Sequence, residues 1–235
     1  MARDHFDGTI AGLGTAAGLR VVIGHWPDSP LGSFTDVMVE QPDGHRVLLA
    51  PDQRVADFVA ATYTFDEVRL GTVEHRTRGD RQEVVTRDLE CAFRVGGRSA
   101  LGWLLRAVPR PLATAPWWIA TIDAIARRVL PGVRTVGSAG GGRTEYYGAR
   151  DLHRIADASV RWTGVDQGDL APVRPAVRFG FGSTPAAPSL VRITTVIDRP
   201  GSDGPTAPRP TPGGPLRQGV RTTFSQWSAF SRNVE

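Results

Sequence analysis

Three polar side chains in the second half of the chain have the types and spacing of a ligand-binding wall. Arg143, Glu145 and Tyr147 alternate along a segment of β character, and alternate residues of an extended chain project from the same face. The glycine-rich residues 137–142 precede them, and clustered backbone N–H groups beside an arginine can hold a phosphate or carboxylate. The pattern predicts an anion-binding face, with an ordinary cross-strand charge ladder and a plain flexible loop as the alternatives.

The chain contains no lysine, so arginine supplies all 28 of its basic residues. This composition excludes Schiff-base catalysis through lysine and the lysine of a phosphate-binding loop. The net charge is only +4, and the arginines form no dense run, so we predict no specific binding of nucleic acid.

The cysteine and histidine content argues against a metal site. Cys91 is the only cysteine, which excludes an intramolecular disulfide, and its place in an alternating strand predicts a buried, inert thiol. The five histidines have no metal-binding spacing. We therefore predict no metal and no cofactor, a cytoplasmic location, and neither an export signal nor a transmembrane segment.

The elements that must position these residues are mostly strands. Gly12, Gly14 and Gly18 resemble a dinucleotide fingerprint, but the β-branched residues that follow favour a glycine-rich hairpin. A second hairpin is predicted around Pro42-Asp43-Gly44, and Asp52 is expected to cap a short helix. Further strands are expected over 67–74, 84–95, 143–148, 154–162, 176–181 and 190–197.

Two helices are predicted between these strands, one capped by Ser99 and one opened by Pro116 and running to Leu130. Tryptophans and arginines are frequent in this region. Core packing on the sheet is one interpretation. The other is an interaction surface for a partner protein or an anionic membrane.

One short segment resembles a known family. Gly32, Phe34 and Asp36 match the Gly-x-aromatic-x-acid strand of acetoacetate decarboxylase-like proteins, in which a curved β structure and a few helices surround a pocket. The resemblance implies that Asp36 stands where the family has a pocket glutamate. Because the family's Schiff-base lysine is missing, it implies a shared pocket without shared decarboxylation. The stretches Arg178-Phe-Gly-Phe-Gly-Ser-Thr-Pro185 and Gly132-Val-Arg-Thr135 are typical of an uncharacterised protein family of high-GC bacteria, which the whole chain also resembles.

These observations predict one α+β domain over residues 1–197, with a curved antiparallel sheet or barrel-like body and two or three helices. A disordered Pro/Gly-rich tail is predicted over 198–235. We expect a small anionic organic ligand in an interior pocket, with Arg143 and Arg178 as its charge partners. Asp36, Glu145 and Tyr147 would be the polar residues of that pocket. Turnover, for which a carboxylate general base would serve, and assembly into a homo-oligomer are left open.

Overall fold

A computed structural model describes residues 3–121, 136–138, 144–180 and 184–198 of the chain. Within these residues, thirteen strands form one curled sheet. The strands are β1 (Arg3–Thr15), β2 (Arg20–Asp28), β3 (Phe34–Glu40), β4 (Arg46–Ala50), β5 (Glu67–Leu70), β6 (Glu74–Arg78), β7 (Arg81–Val85), β8 (Leu89–Arg98), β9 (Val136–Ser138), β10 (Thr144–Trp162), β11 (Val165–Asp166), β12 (Leu170–Ala171) and β13 (Ser189–Asp198). The helices are α1 (Gln53–Ala60), α2 (Ala100–Ala107) and α3 (Arg110–Ala113), and residues 116–121 are also helical.

The main path through the sheet runs β5-β4-β3-β2-β1-β13-β10-β8-β7-β6. Every pairing is antiparallel except that of β4 with β5. The sheet therefore forms a half-barrel whose central strands are β1, β13 and β10. The predicted α+β class with a curved, mainly antiparallel sheet is confirmed.

Both faces of the sheet are buried. On the inner face, apolar side chains of β1 to β4 pack in one cluster with Val84 and Phe93 of β7 and β8, at the other end of the path. On the outer face, alternate residues such as Ile10 and Met38 pack against Val55 of α1. The curl also brings β6 over β2, where the rings of His25 and His75 lie 3.9 Å apart.

The local predictions about turns and caps are confirmed. β1 and β2 form the glycine-rich hairpin, and β3 and β4 form the next one, in which Gly44 adopts a φ of 91°. The Asp52 carboxylate accepts a hydrogen bond from the Val55 N–H at 2.9 Å, and Ser99 caps α2 in the same way through Gly102 N–H at 2.9 Å. Cys91 is buried in the inner cluster, and burial raises the pKa of its thiol to about 12.

Five strand predictions need correction. The strand predicted over 67–74 is two strands, because β5 ends at Leu70 and β6 begins at Glu74. The strand predicted over 84–95 is two strands, because the Thr86 hydroxyl accepts hydrogen bonds from the N–H groups of Asp88 and Leu89 and so forms a turn. The two strands predicted over 143–148 and 154–162 are described as the continuous β10, whose register shifts after Ala149. Residues 176–180 form no strand.

Two further predictions fall largely outside the described residues. The second predicted helix is described only over residues 116–121. The predicted tail is described only at Asp198, so the boundary between the domain and the tail stays a prediction. In the described part of the chain, no helix combines the length and apolar character needed to span a membrane.

The cap of α1 gives a test of the fold. Substitution Asp52→Ala removes the acceptor for the Val55 N–H, and we expect it to lower the free energy of unfolding by about 1 kcal/mol. Urea denaturation would measure this change. The control is Gln53→Ala in the same turn, which should change stability by less than about 0.5 kcal/mol because Gln53 is exposed. Equal effects would contradict the role of the cap.

Candidate functional site

Three of the five predicted ligand-binding residues line one small cavity beneath α1, which we call the carboxyl cavity. Asp36 enters it from β3, and Glu145 and Tyr147 enter it from β10. The cavity has a volume of about 40 Å³. Its other lining residues are Phe6, Ile10, Gly24, Trp26, Met38, Phe58, Val59, Thr62, Tyr63, Thr195 and Ile197.

Asp36 is only 2% exposed and lies in mostly apolar surroundings. The Trp26 indole N–H donates a hydrogen bond to its Oδ1 at 3.1 Å. Burial raises the pKa of the Asp36 carboxyl to about 7, and the Trp26 hydrogen bond opposes this shift in part. Gly24 makes room for the pair, since a Cβ there would lie 2.6 Å from both Asp36 Oδ1 and Trp26 Nε1.

A second polar group in the cavity connects β10 to the segment that follows α1. The hydroxyl groups of Tyr63 and Tyr147 form a short hydrogen bond, and Tyr147 also hydrogen-bonds to Glu145. Burial, followed by the charge of Glu145, raises the pKa of both tyrosines well above the usual value. The Thr195 hydroxyl, from the neighbouring β13, is buried and has no hydrogen-bond partner among the described residues.

The two predicted arginines do not contribute to the described walls of this cavity. Arg143 lies outside the described residues. Arg178 lies elsewhere, where its backbone N–H and its Nε–H donate to the Glu40 carboxylate at 2.7 and 2.9 Å. The same carboxylate lies 3.4 Å from the buried Arg20 guanidinium. No basic side chain is present among the described residues that line the carboxyl cavity.

A larger cavity opens on the inner face of the sheet, and we call it the arginine cleft. Its volume is about 450 Å³, and Arg110 of α3, Arg150 of β10 and Arg192 of β13 line it. The other lining residues are Asp7, Gly8, Thr9, His25, Pro27, Asp28, His75, Thr77 and Gln82.

Asp7 organises the charges of the arginine cleft. Its carboxylate accepts hydrogen bonds from Arg150 at 2.5 Å, from Arg110 at 2.9 Å and from the Thr194 hydroxyl at 2.6 Å. Burial lowers the pKa of the Arg150 guanidinium, and the positive charges of Arg110 and Arg192 act in the same direction. Within the described part of the chain, Arg150 Nε has no hydrogen-bond partner and Arg192 has no ion pair. Among the described residues that line the cleft, three are arginines and only two, Asp7 and Asp28, are acidic.

The stacked histidines form another wall of the cleft. His25 Nδ1 is 2.9 Å from the Thr35 hydroxyl, and His75 Nε2 is 2.9 Å from Gln82 Oε1. Burial, followed by the nearby His75, lowers the pKa of the His25 imidazole to about 4. His25 is therefore neutral at pH 7 and adds no charge to that of the three arginines.

The arginine cleft was not predicted from the sequence. Asp7, Arg110, Arg150 and Arg192 share no local motif, and long-range strand pairing brings them together. One local signal was present: Arg192 is the one basic residue of β13 and lies between the apolar Val191 and Ile193. Among the residues that the structure describes, no three His, Cys, Asp or Glu side chains form a group that could hold a metal ion.

Comparison with known proteins gives only distant structural similarity. No family model matches the chain, and no curated protein matches it. The crystal structure of acetoacetate decarboxylase from Legionella pneumophila subsp. pneumophila str. Philadelphia 1 aligns with a TM-score of 0.39 and 9% identity over 84% of each chain. A putative AttH from Nitrosomonas europaea aligns with a TM-score of 0.29 and 12% identity, over 83% of this chain and 50% of that one.

The raised pKa of Asp36 predicts how stability depends on pH. In the folded state the Asp36 carboxyl keeps its proton up to about pH 7, because its pKa is raised from the ordinary value of 3.8. The free energy of unfolding therefore falls as pH rises from about 4 to about 7. The loss is on the order of 4 kcal/mol. The Asp36→Asn variant has no carboxyl group to ionise at this position. We expect its free energy of unfolding to be no higher than that of the wild type at pH 4 and higher than that of the wild type at pH 8.

Urea denaturation of both proteins between pH 4 and pH 8 measures this difference. His25 has the opposite dependence, because its folded pKa of about 4 lies below the ordinary 6.5 and stability is gained as pH rises. That contribution is common to both proteins and cancels in the comparison. Parallel stability curves would show that Asp36 does not titrate as described.

Proposed function

We propose that this chain binds a small organic anion in the arginine cleft. The observation that carries the proposal is the group of three arginines around Asp7, in a cavity of about 450 Å³. Cavities that hold small organic ligands commonly have volumes of about 300–1,000 Å³. The cleft therefore has both the size and the sign of charge that such a ligand needs.

The guanidinium groups also offer hydrogen-bond donors to an anion. Arg150 uses one Nη to hold Asp7, while its buried Nε has no partner among the described residues. Arg192 is exposed on the same face and has no described ion pair. A carboxylate or phosphate that bridges the two would satisfy these donors and relieve the repulsion between their charges.

The proposal keeps the ligand class expected from the sequence but assigns it different charge partners. Arg150, Arg192 and Arg110 take the role that was predicted for Arg143 and Arg178. The neutral His25 ring, which stacks on the His75 ring, would contact an apolar or planar part of the ligand. Because the chain has no lysine, binding involves no lysine Schiff base.

Substitution Arg192→Gln tests the proposal. Removing this charge should weaken binding of a dicarboxylate such as succinate, or of inorganic phosphate, by tenfold or more, because it removes a charge-assisted hydrogen bond. The melting temperature should not change, since Arg192 holds no described ion pair. Isothermal titration calorimetry at low and at moderate salt measures the affinity.

The matched control is Arg161→Gln, which removes the same charge from an exposed position at the far end of β10. It should leave the affinity unchanged. Equal losses in both variants would indicate a general effect of charge, and no loss in Arg192→Gln would contradict the proposal. Native mass spectrometry of protein purified from its own host would test whether an organic anion is bound.

A second candidate function rests on exposed aromatic residues in the helical region. Trp103 of α2 is 61% exposed and Trp117 is 64% exposed, and the Arg98 guanidinium lies 4.4 Å over the Trp103 ring. Large exposed apolar side chains beside arginines fit docking to an anionic membrane or to a partner protein.

Liposome co-sedimentation distinguishes this second function. If it holds, the protein should sediment with vesicles that contain phosphatidylserine, and Trp103→Ala combined with Trp117→Ala should reduce the bound fraction severalfold. Neutral vesicles are the control. A bound fraction that does not depend on the two tryptophans would exclude this surface as the membrane contact.

A further inference from the structure

We propose that the anion bound in the arginine cleft carries an uncharged amide group at its other end, which the side chains of His75, Thr77 and Gln82 bind. We call these three residues the amide-binding wall. The ligand would thus be the half-amide of a short dicarboxylic acid. This inference rests on the proposed function, because the arginines hold the carboxylate end, and it adds the chemical group that the opposite wall selects.

The fixed positive charges of the cleft all come from one side of it. Arg150 and Arg192 lie on β10 and β13, and Arg110 of α3 shares the Asp7 carboxylate with Arg150. The amide-binding wall comes instead from the hairpin of β6 and β7, every residue of which the structure describes. No arginine, aspartate or glutamate of this hairpin lines the cleft. The ligand therefore needs a charged group at one end and a polar group at the other.

The register of the strands sets the separation of the two ends. Thr9 of β1 lies opposite Arg192 on one side and opposite His25 on the other. Neighbouring strands are about 4.8 Å apart, so the Cα atoms of Arg192 and His25 are about 10 Å apart. The His75 ring lies against the His25 ring, with the ring centroids 3.9 Å apart. A ligand with its carboxylate on Arg192 therefore crosses the small Thr9 side chain and the His25 ring before it reaches the amide-binding wall.

The hydrogen bond between His75 and Gln82 fixes which atoms of the wall donate and which accept. Gln82 Oε1 can only accept, so His75 Nε2, 2.9 Å away, is the donor. In the neutral ring, His75 Nδ1 is therefore an acceptor, and the Gln82 amide nitrogen keeps its N–H donors. Neither nitrogen has a hydrogen-bond partner among the described residues. The wall thus offers a ligand both an acceptor and a donor.

An amide group matches this set of donors and acceptors. Thr77 lies directly opposite Gln82 in the pairing of β6 with β7, and its exposed hydroxyl can donate or accept. The carbonyl oxygen of an amide can accept from Gln82 and Thr77, and its N–H can donate to His75 Nδ1. A carboxylate has only acceptors and would face the lone pair of Nδ1, and a methyl group would leave the wall without hydrogen bonds. The wall therefore favours an amide over both.

The middle of the cleft suits the carbon chain that joins the two ends. His25 Nδ1 is 2.9 Å from the Thr35 hydroxyl, so this side of the ring already has a partner. Burial, followed by the nearby His75, lowers the pKa of the His25 imidazole to about 4, and the ring is neutral at pH 7. A neutral ring and the methyl group of Thr9 can contact methylene groups without losing a charge interaction. The ligand thus has an apolar middle between its two polar ends.

Calorimetric titration of the full chain with three ligands that share one carbon skeleton tests the proposal. Glutaramate ends in an amide, glutarate in a second carboxylate and pentanoate in a methyl group. At pH 8, above the ordinary range of histidine titration, we expect glutaramate to bind about tenfold tighter than pentanoate, because it gains at least two hydrogen bonds. It should also bind severalfold tighter than glutarate. Succinamate and succinate repeat the comparison on a shorter chain.

Two variants locate the amide-binding wall. Gln82→Leu removes the amide donors and should weaken glutaramate binding about tenfold while leaving pentanoate binding unchanged. Thr77→Val removes only an exposed hydroxyl, so it should weaken glutaramate binding severalfold without lowering the melting temperature. Gln53→Leu is the matched control, because it makes the same substitution at an exposed position of α1, on the outer face of the sheet. It should keep the wild-type preference for glutaramate.

Several outcomes would overturn the proposal: equal binding of glutaramate and pentanoate, tighter binding of glutarate than of glutaramate, or an unchanged preference in both Gln82→Leu and Thr77→Val. Arg192→Gln separates this result from that of the anion site, since it should weaken all three ligands through their shared carboxylate. If the three ligands bind equally and Arg192→Gln weakens them all, the anion site stands and only the amide-binding wall is wrong. If none of them binds the folded protein, both proposals are wrong.

Discussion

The burial of both faces of the central strands is the constraint on which the rest of the structure depends. β1, β13 and β10 have neighbours on both sides, the inner cluster against one face and the outer cluster against the other. A buried polar side chain on these strands is therefore costly unless it has a hydrogen-bond partner inside the protein. Asp7 meets this requirement with Arg150, Arg110 and Thr194, and Glu40 on β3 meets it with Arg20 and Arg178.

The arginine cleft and the carboxyl cavity lie on opposite faces of the same sheet, and their chemical environments differ. Along β13, Arg192 and Thr194 face the inner side, whereas Thr195 faces the outer side. The inner cavity has an excess of guanidinium groups, and the outer one has carboxyl and aromatic groups. Because alternate residues of a strand face opposite sides of the sheet, the guanidinium groups of the inner cavity stay apart from the carboxyl groups of the outer one.

Local features of the fold could be predicted from the sequence, and so could part of the carboxyl cavity. Asp52 and Gly44 act within a few residues of the chain, and the alternation of Glu145 and Tyr147 correctly predicts a shared face. That Asp36 lies with them was expected only from the family resemblance. The arginine cleft could not be predicted, because Arg150 contacts Asp7 across 143 positions of sequence. Arg150 also lies at the register shift between Ala149 and Asp151, which no local pattern indicates.

The central position of β13 has a consequence for folding during synthesis. This strand is the last one in the described part of the chain, yet it inserts between β1 and β10 and contributes Arg192, Thr194 and Thr195 to the two cavities. Until the ribosome has released it, β1 and β10 each present an unpaired edge, and neither cavity is complete. Such edges promote association between incomplete chains. Both cavities would thus be completed in one late step, which joins the first strand of the sheet to the last.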